Sequence, residues 1–209
     1  MYNCIQLNEL NTNPRISDIS LELLREYYEI YLNPFEYHYN VIDETNQYHI
    51  ELRFDQENLC HLLGLESIVK YNINKNELCN YKGQKGWDNI KDGSITMKLL
   101  KDINKNRFKS GKDKMVFFYL VPNLIKTPKA IYFDNSLIEP PTRIQSKIIF
   151  FNEYFNSILH LGIEPNDDNL YYVPRTLLIE RITDKNDGTK YTKDQQQIEL
   201  EVKSRVIML

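Results

Sequence analysis

From Lys129 onward the chain is a succession of short segments in which apolar and polar residues alternate: KAIYFD, KIIFFN, NSILHLGIE, LYYVPRTLLIERIT and a last one running through QQQIELEVKSRVIML. Period-two alternation rich in Ile, Val, Phe and Tyr is the pattern of half-buried strands. The connections are mostly too short to hold a crossover helix, which favours an antiparallel meander. Asp187-Gly188 supplies turn chemistry between the last two segments. The spacing predicts an antiparallel sheet of four or five strands at the C-terminal end.

The first half reads differently. Residues 1–13 are polar and are expected to be loosely held. Ser17 or Ser20 can start a helix through SLELLREYYEIYLN, which Asn33-Pro34 stops. Phe35, Tyr37, Tyr39 and Val41 then alternate, as do Tyr48, Ile50, Leu52 and Phe54, with the polar loop Asp43-Glu44-Thr45-Asn46 between them. This is a hairpin, and Arg53 shares the second face of its second strand with His49 and Glu51. Residues 65–110 read as helices punctuated by Gly83, Gly86 and Gly93. Ser94 can cap one of them, with Ile95, Leu99 and Ile103 on its apolar face and Leu100 beside it. Met115–Val121 is a continuous apolar run that fits a buried helix or a buried strand, the helix being favoured, and Pro122 and Pro128 end it. The expected class is α+β, with N-terminal helices and a hairpin packed on a C-terminal antiparallel β-sheet. The whole of 1–209 is expected to be one domain, with a helical part over 1–125, the hairpin at about 35–54, and a sheet part over 126–209.

Composition narrows the function. With 42% hydrophobic residues the chain can build a sizeable core, to which 15 Tyr and 9 Phe contribute. The net charge of −3 excludes a protein whose whole surface is a nucleic-acid glove, though a local patch is compatible with it. Cys4, Cys60 and Cys79 form neither a disulfide framework nor a zinc pattern, and are expected to be reduced. The N-terminus shows no signal peptide and no apolar run is long enough for a membrane span, so a cytoplasmic location without membrane contact is expected. There is no Walker A loop, dinucleotide fingerprint or HExxH, and Asp167-Asp168 reads as a turn, so no cofactor and no metal are expected. Chemistry without a metal or cofactor must rest on side chains: a base and an acid to move protons, and cations or hydrogen-bond donors to hold developing charge.

Candidates for those roles come from four places. In FDQENLCHLLGL (54–65), Asp55 can cap a helix that Gly64 ends, and Leu59, Leu62 and Leu63 share one face. His61 lies two residues from Leu59, roughly 200° around at about 100° per residue, so it points away from that face. It can serve as an acid/base, or as a surface residue interacting with the helix end. Between Lys98 and Lys114 seven basic residues face two acidic ones, an excess of five. Lys98, Lys101, Lys105, Arg107 and Lys109 can contact a phosphate backbone, or simply form a solvated face. Trp87, the only tryptophan, suits a core. Along NSILHLGIE, His160 faces the open side of the sheet if only the leucine side is covered, and is a core histidine if both sides are. Along VPRTLLIER, Pro174 can place a bulge beside Arg175 and Thr176, where an arginine can hold a phosphate or pair with a glutamate.

FDQENLCHLLGL, with LHLGI at 159–163 and VPRTLLIER at 173–181, resembles a phage- and mobile-element-associated nuclease family of the barnase–EndoU–colicin–RelE (BECR) superfamily. The resemblance runs from about Gln47 onward. It implies an α+β fold and a metal-independent endoribonuclease, toxin-like or related to phage defence, with RNA as partner and a neutralising antitoxin or immunity protein as a second. By its match to the HL-x-GL block, His61 becomes the acid/base candidate. By the PRTLLIE match, Arg175 becomes the phosphate ligand and Thr176 its hydrogen-bonding neighbour. His160 and Arg53 rank behind them. The superfamily's catalytic residues vary among members and usually lie on the sheet. The alternative is a non-catalytic RNA- or protein-binding module on the same fold.

Overall fold

The apolar residues of the alternating segments turn inward on one another, and in doing so they close a barrel. The computed structural model describes residues 1–42 and 47–207, so the expected turn Asp43-Glu44-Thr45-Asn46 lies outside the described residues. Two compact units are present: Met1–Asn33 with Asp55–Leu120, and Pro34–Phe54 with Val121–Leu209.

The second unit contains β1 (Phe35–Ile42), β2 (Gln47–Arg53), β3 (Lys129–Tyr132), β4 (Ile148–Tyr154), β5 (Ser157–Pro165), β6 (Tyr172–Arg181) and β7 (Gln196–Ile207). All the segments read as strands are strands. Their order is β1-β2-β6-β5-β4-β3-β7, closed by the β7–β1 pairing. This corrects the expected open antiparallel sheet with a hairpin packed on it. The hairpin is two staves of a seven-stranded barrel. Its first strand pairs antiparallel with β7, and its second meets β6 in parallel at Leu52 and Tyr172. The physical reason is the edge. A sheet ending at β6 and β7 leaves two rows of unpaired backbone groups; the hairpin pairs along β7 through β1 and closes the circuit at β6 through the single Leu52–Tyr172 pair.

Tyr37, Tyr39, Val41, Ile50, Leu52 and Phe54 line the interior with Leu159, Leu161, Ile163, Phe150 and Leu177, all nearly or fully buried. Tyr39 packs edge-on against Phe150 at 5.0 Å, and its hydroxyl donates to the Ile125 carbonyl at 2.7 Å. Burial raises that phenol's pKa well above its ordinary value. The β5–β6 register slips between Gly162 and Ile163, which face Thr176 and Pro174, so Arg175 is the extra residue of a bulge. That is the irregularity expected beside Pro174, whose missing N–H cannot join the ladder.

The first unit is helical: α1 (Cys4–Asn8), α2 (Leu21–Tyr31), α3 (Leu59–Leu62), α4 (Leu65–Val69), α5 (Gly83–Lys91), α6 (Met97–Ile103) and α7 (Lys105–Phe117). Ser20 caps α2, accepting from the Leu23 N–H at 3.0 Å. Residues 1–13 are tied down rather than loose. The Tyr27 hydroxyl lies 2.9 Å from Asn8 Oδ1, and that of Tyr119 donates to the Thr12 carbonyl at 3.1 Å. Asp55 and Asn58 form a reciprocal capping box just before α3. Gly64 at φ 72° separates α3 from α4, a conformation glycine adopts without penalty. Thr96, not Ser94, caps α6. Trp87 is a core residue, met edge-on by Tyr28 at 5.8 Å. Met115–Leu120 is helical and buried. Pro122 does not end the helical run but sits in the first turn of α8 (Val121–Leu124), where no N–H is needed. Cys4, Cys60 and Cys79 are free thiols. Among the described residues no helix is long and apolar enough to cross a membrane.

Candidate active site

Because β1 and β2 turn their tyrosines, isoleucine and leucine inward, their alternate residues must point out. Register then fixes which of these meet. Asn40 stands opposite His49, His38 opposite Glu51, and Glu36 opposite Arg53. Two rows of three polar side chains therefore cover one patch of the barrel's outer face.

They form one network. Glu36 Oε1 accepts from His38 Nε2 at 2.7 Å. His38 Nδ1 is 2.7 Å from His49 Nε2, with the two rings stacked 5.0 Å apart. His49 Nδ1 lies 3.2 Å from Asn40 Oδ1. At the other end Arg53 donates through Nε and Nη2 to Glu36 Oε2, at 2.8 and 2.7 Å, and through Nη2 to Glu51 Oε1 at 2.5 Å. Its guanidinium lies 4.5 Å over the Tyr171 ring. If Glu36 accepts from His38 Nε2–H, then His38 Nδ1 is an acceptor and His49 Nε2 must donate. For Asn40 Oδ1 also to accept, His49 must carry both ring protons. The network's longest contact is the one between His49 and Asn40.

Glu36, His38 and Glu51 could also ligate a cation, since one ligand atom from each lies within 4.8 Å of the others. The donor set is a reasonable one for zinc or manganese. In this structure, however, Arg53 already donates to both carboxylates and His38 donates to one of them. A metal would have to break these contacts. The fit to a metal is therefore poorer than the fit to proton transfer.

A family model described as phage-Barnase-EndoU-ColicinE5/D-RelE like nuclease4 (PBECR4) matches residues 22–205. The chain belongs to this family. No curated protein and no solved structure matches it. PBECR4 is a nuclease family.

In this PBECR4 chain the residues singled out by sequence are distributed as follows. Arg53 stands inside the hairpin network. Arg175, on the β6 bulge, places Nε 2.6 Å from Glu164 Oε1 and Nη2 3.6 Å from Asp167 Oδ1. The pairing of arginine with glutamate is thus realised, and the guanidinium remains about two-fifths exposed. Thr176 is half-buried beside it. His160 is fully buried: Phe151 stacks on it at 6.3 Å and Tyr191 meets it edge-on at 5.3 Å. Both sides of the sheet are covered here, which makes it a core histidine. Desolvation pulls its pKa down to about 4, against a weaker opposing effect of the Leu178 backbone.

The remaining candidates lie in the helical unit. His61 is exposed on α3, while Leu59, Leu62 and Leu63 are fully buried. Lys98, Lys101, Lys105, Arg107 and Lys109 are exposed on α6 and α7. Sequence reasoning placed His49, Glu51 and Arg53 on one face but did not single out Glu36, His38 or Asn40. The available signal was the matching polar row on β1, which becomes informative only once the strands are set in register.

Proposed function

We propose that this nuclease is a metal-independent endoribonuclease working at the hairpin face of the barrel. The observation that carries the reading is the row His49, Glu51, Arg53 on β2, backed by Asn40, His38 and Glu36 on β1. Residues two apart on a strand are about 6.6 Å apart, enough to seat a phosphodiester between neighbouring side chains. Glu51 accepts the proton of the 2′-hydroxyl as its oxygen attacks phosphorus. His49 gives its Nδ1 proton to the departing 5′-oxygen, exchanging Asn40 for that oxygen. Arg53 stabilises the charge on the phosphorane. The P–O5′ bond breaks as the P–O2′ bond forms, leaving a 2′,3′-cyclic phosphate and a 5′-hydroxyl. His38 and Glu36 hold His49 in place and stabilise its cation.

A second reading keeps His61 as the acid/base group, because α3 holds its ring in solvent while every leucine around it is buried. A toxin-like or phage-defence role in the cytoplasm, with a neutralising partner protein, accompanies either reading. The experiment is cleavage of RNA by purified protein with and without EDTA, with analysis of the product ends. Cyclic phosphate formed in EDTA, and a loss of about 10²–10⁴-fold in both His49→Gln and Glu51→Gln, supports the hairpin site. Full dependence on an added divalent cation would assign Glu36, His38 and Glu51 to metal binding instead.

A further inference from the structure

Helix α7 presents an unusual face to α4. Arg107, Ser110, Gly111 and Lys114 follow the i, i+3, i+4, i+7 spacing of a single stripe. A stripe packed on another helix is ordinarily apolar. This one instead borders a cavity of ≈ 170 Å³, closed on the other side by Gly64, Ser67 and Ile68. None of the lining residues carries a carboxylate. Lys114 is half-buried, and its stem runs past Gly64, with Cδ 3.4 Å from where a side-chain Cβ would sit. Among the described residues it makes no ion pair, and burial lowers the pKa of its ammonium. The Arg107 guanidinium is held at the rim, 4.2 Å over the Tyr71 ring, with Nη1 3.5 Å from the Ser67 carbonyl. Two cations thus border one small hollow whose lining carries no carboxylate, at a real cost in desolvation for Lys114.

We infer that the α4–α7 cavity is a phosphoryl-binding pocket, with Lys114 and Arg107 as its cationic ligands and Ser67 as a hydroxyl donor, the Ser110 hydroxyl already donating to the Asn106 carbonyl at 2.8 Å. The volume is below the roughly 300–1,000 Å³ of ordinary small-molecule sites, so it takes a phosphate group but not an attached base. An exposed arginine and a recessed lysine suit a tetrahedral anion, the first through a fork of donors and the second as a point charge. The phosphate can come from a free phosphate or from an RNA backbone. The inference is independent of the hairpin-face chemistry, since every residue it uses lies in the helical unit.

The test is an NMR titration of the intact chain with inorganic phosphate at constant ionic strength, following the amides of Gly64, Ser67 and Gly111. Saturable shifts confined to α4 and α7, with a Kd of about 1 mM or tighter, are expected. Lys114→Met keeps the aliphatic stem and removes the charge, and should weaken binding about tenfold or more. Gly111→Ala keeps both charges. Its methyl group meets only Ile68 at ordinary contact distance, so it should melt no lower than wild type while narrowing the pocket and weakening phosphate. A short RNA that shifts the same amides and competes with phosphate identifies the backbone as the source. An RNA that leaves them unmoved identifies free phosphate. Unchanged affinity in Lys114→Met, or shifts confined to α6, would overturn the inference.

Discussion

His160 ties barrel stability to pH in a way that can be measured. In the unfolded chain its imidazole has the ordinary value of 6.5, and in the barrel burial holds it near 4. A group whose folded pKa is depressed takes up its proton more readily when unfolded, so acid favours unfolding. The penalty begins as pH falls through 6.5 and is complete below 4, where it amounts to about 3 kcal/mol. At pH 7 it is only a few tenths of a kcal/mol, and at pH 5 it is about 2 kcal/mol. Replacement by leucine removes the titrating group and keeps an apolar side chain of similar volume between Phe151 and Tyr191. Urea unfolding of wild type and His160→Leu should be followed at pH 7, 6 and 5. The wild type should lose about 2 kcal/mol more than the variant between pH 7 and 5, or about 4–8 °C in melting temperature for a chain of this size. Every other titrating group is common to both proteins and drops out of the difference. Equal losses in the two proteins would refute the reasoning, and would mean that the ring is protonated in the folded barrel.

Three further outcomes are expected. Leu62→Ala should destabilise by about 2–5 kcal/mol, because Leu62 is fully buried, whereas His61→Ala should melt near wild type and cleave RNA faster than His49→Gln; the reverse order of activities would move the acid/base role to α3. Charge reversal of Lys101, Lys105 and Lys109 to Glu should weaken RNA binding and flatten its salt dependence, and an unchanged salt slope would leave these residues as a solvated face. Gly162→Ala should destabilise the barrel by about 1–3 kcal/mol by thermal melting, since the added Cβ would collide with Ser146 and with the Thr176 methyl group; a neutral result would mean that the bulge at Arg175 yields freely.

What the sequence disclosed follows from the range of each interaction. Alternation located the strands, and the Asp55–Asn58 cap and the left-handed Gly64 were legible because their partners are a few residues away. Pro174 disclosed the bulge for the same reason. The barrel was not legible. Alternation says which face of Tyr37 and Tyr39 is buried but not which strand lies alongside, and β7 comes more than 150 residues after β1. The hairpin network fell between these cases. Arg53, His49 and Glu51 could be placed together by period, but the 2.7 Å contact of His38 with His49 depends on a cross-strand register set by residues outside that face. His160 shows the converse. Its face was determined, and its environment was decided by the segment carrying Tyr191, which no local pattern placed over it.

The closing pair of the barrel also sets a clock. Synthesis at roughly 5–20 residues per second separates the emergence of β1 from that of β7 by about 8–30 s. Throughout that interval the hairpin has an open edge, and the row His49, Glu51, Arg53 rests on strands that nothing yet holds in a closed wall. A nascent nuclease of this design is therefore kept from its finished geometry until its seventh strand is made. Meanwhile the same exposed edge is the point at which a chaperone, or a neighbouring unfinished chain, can pair with it.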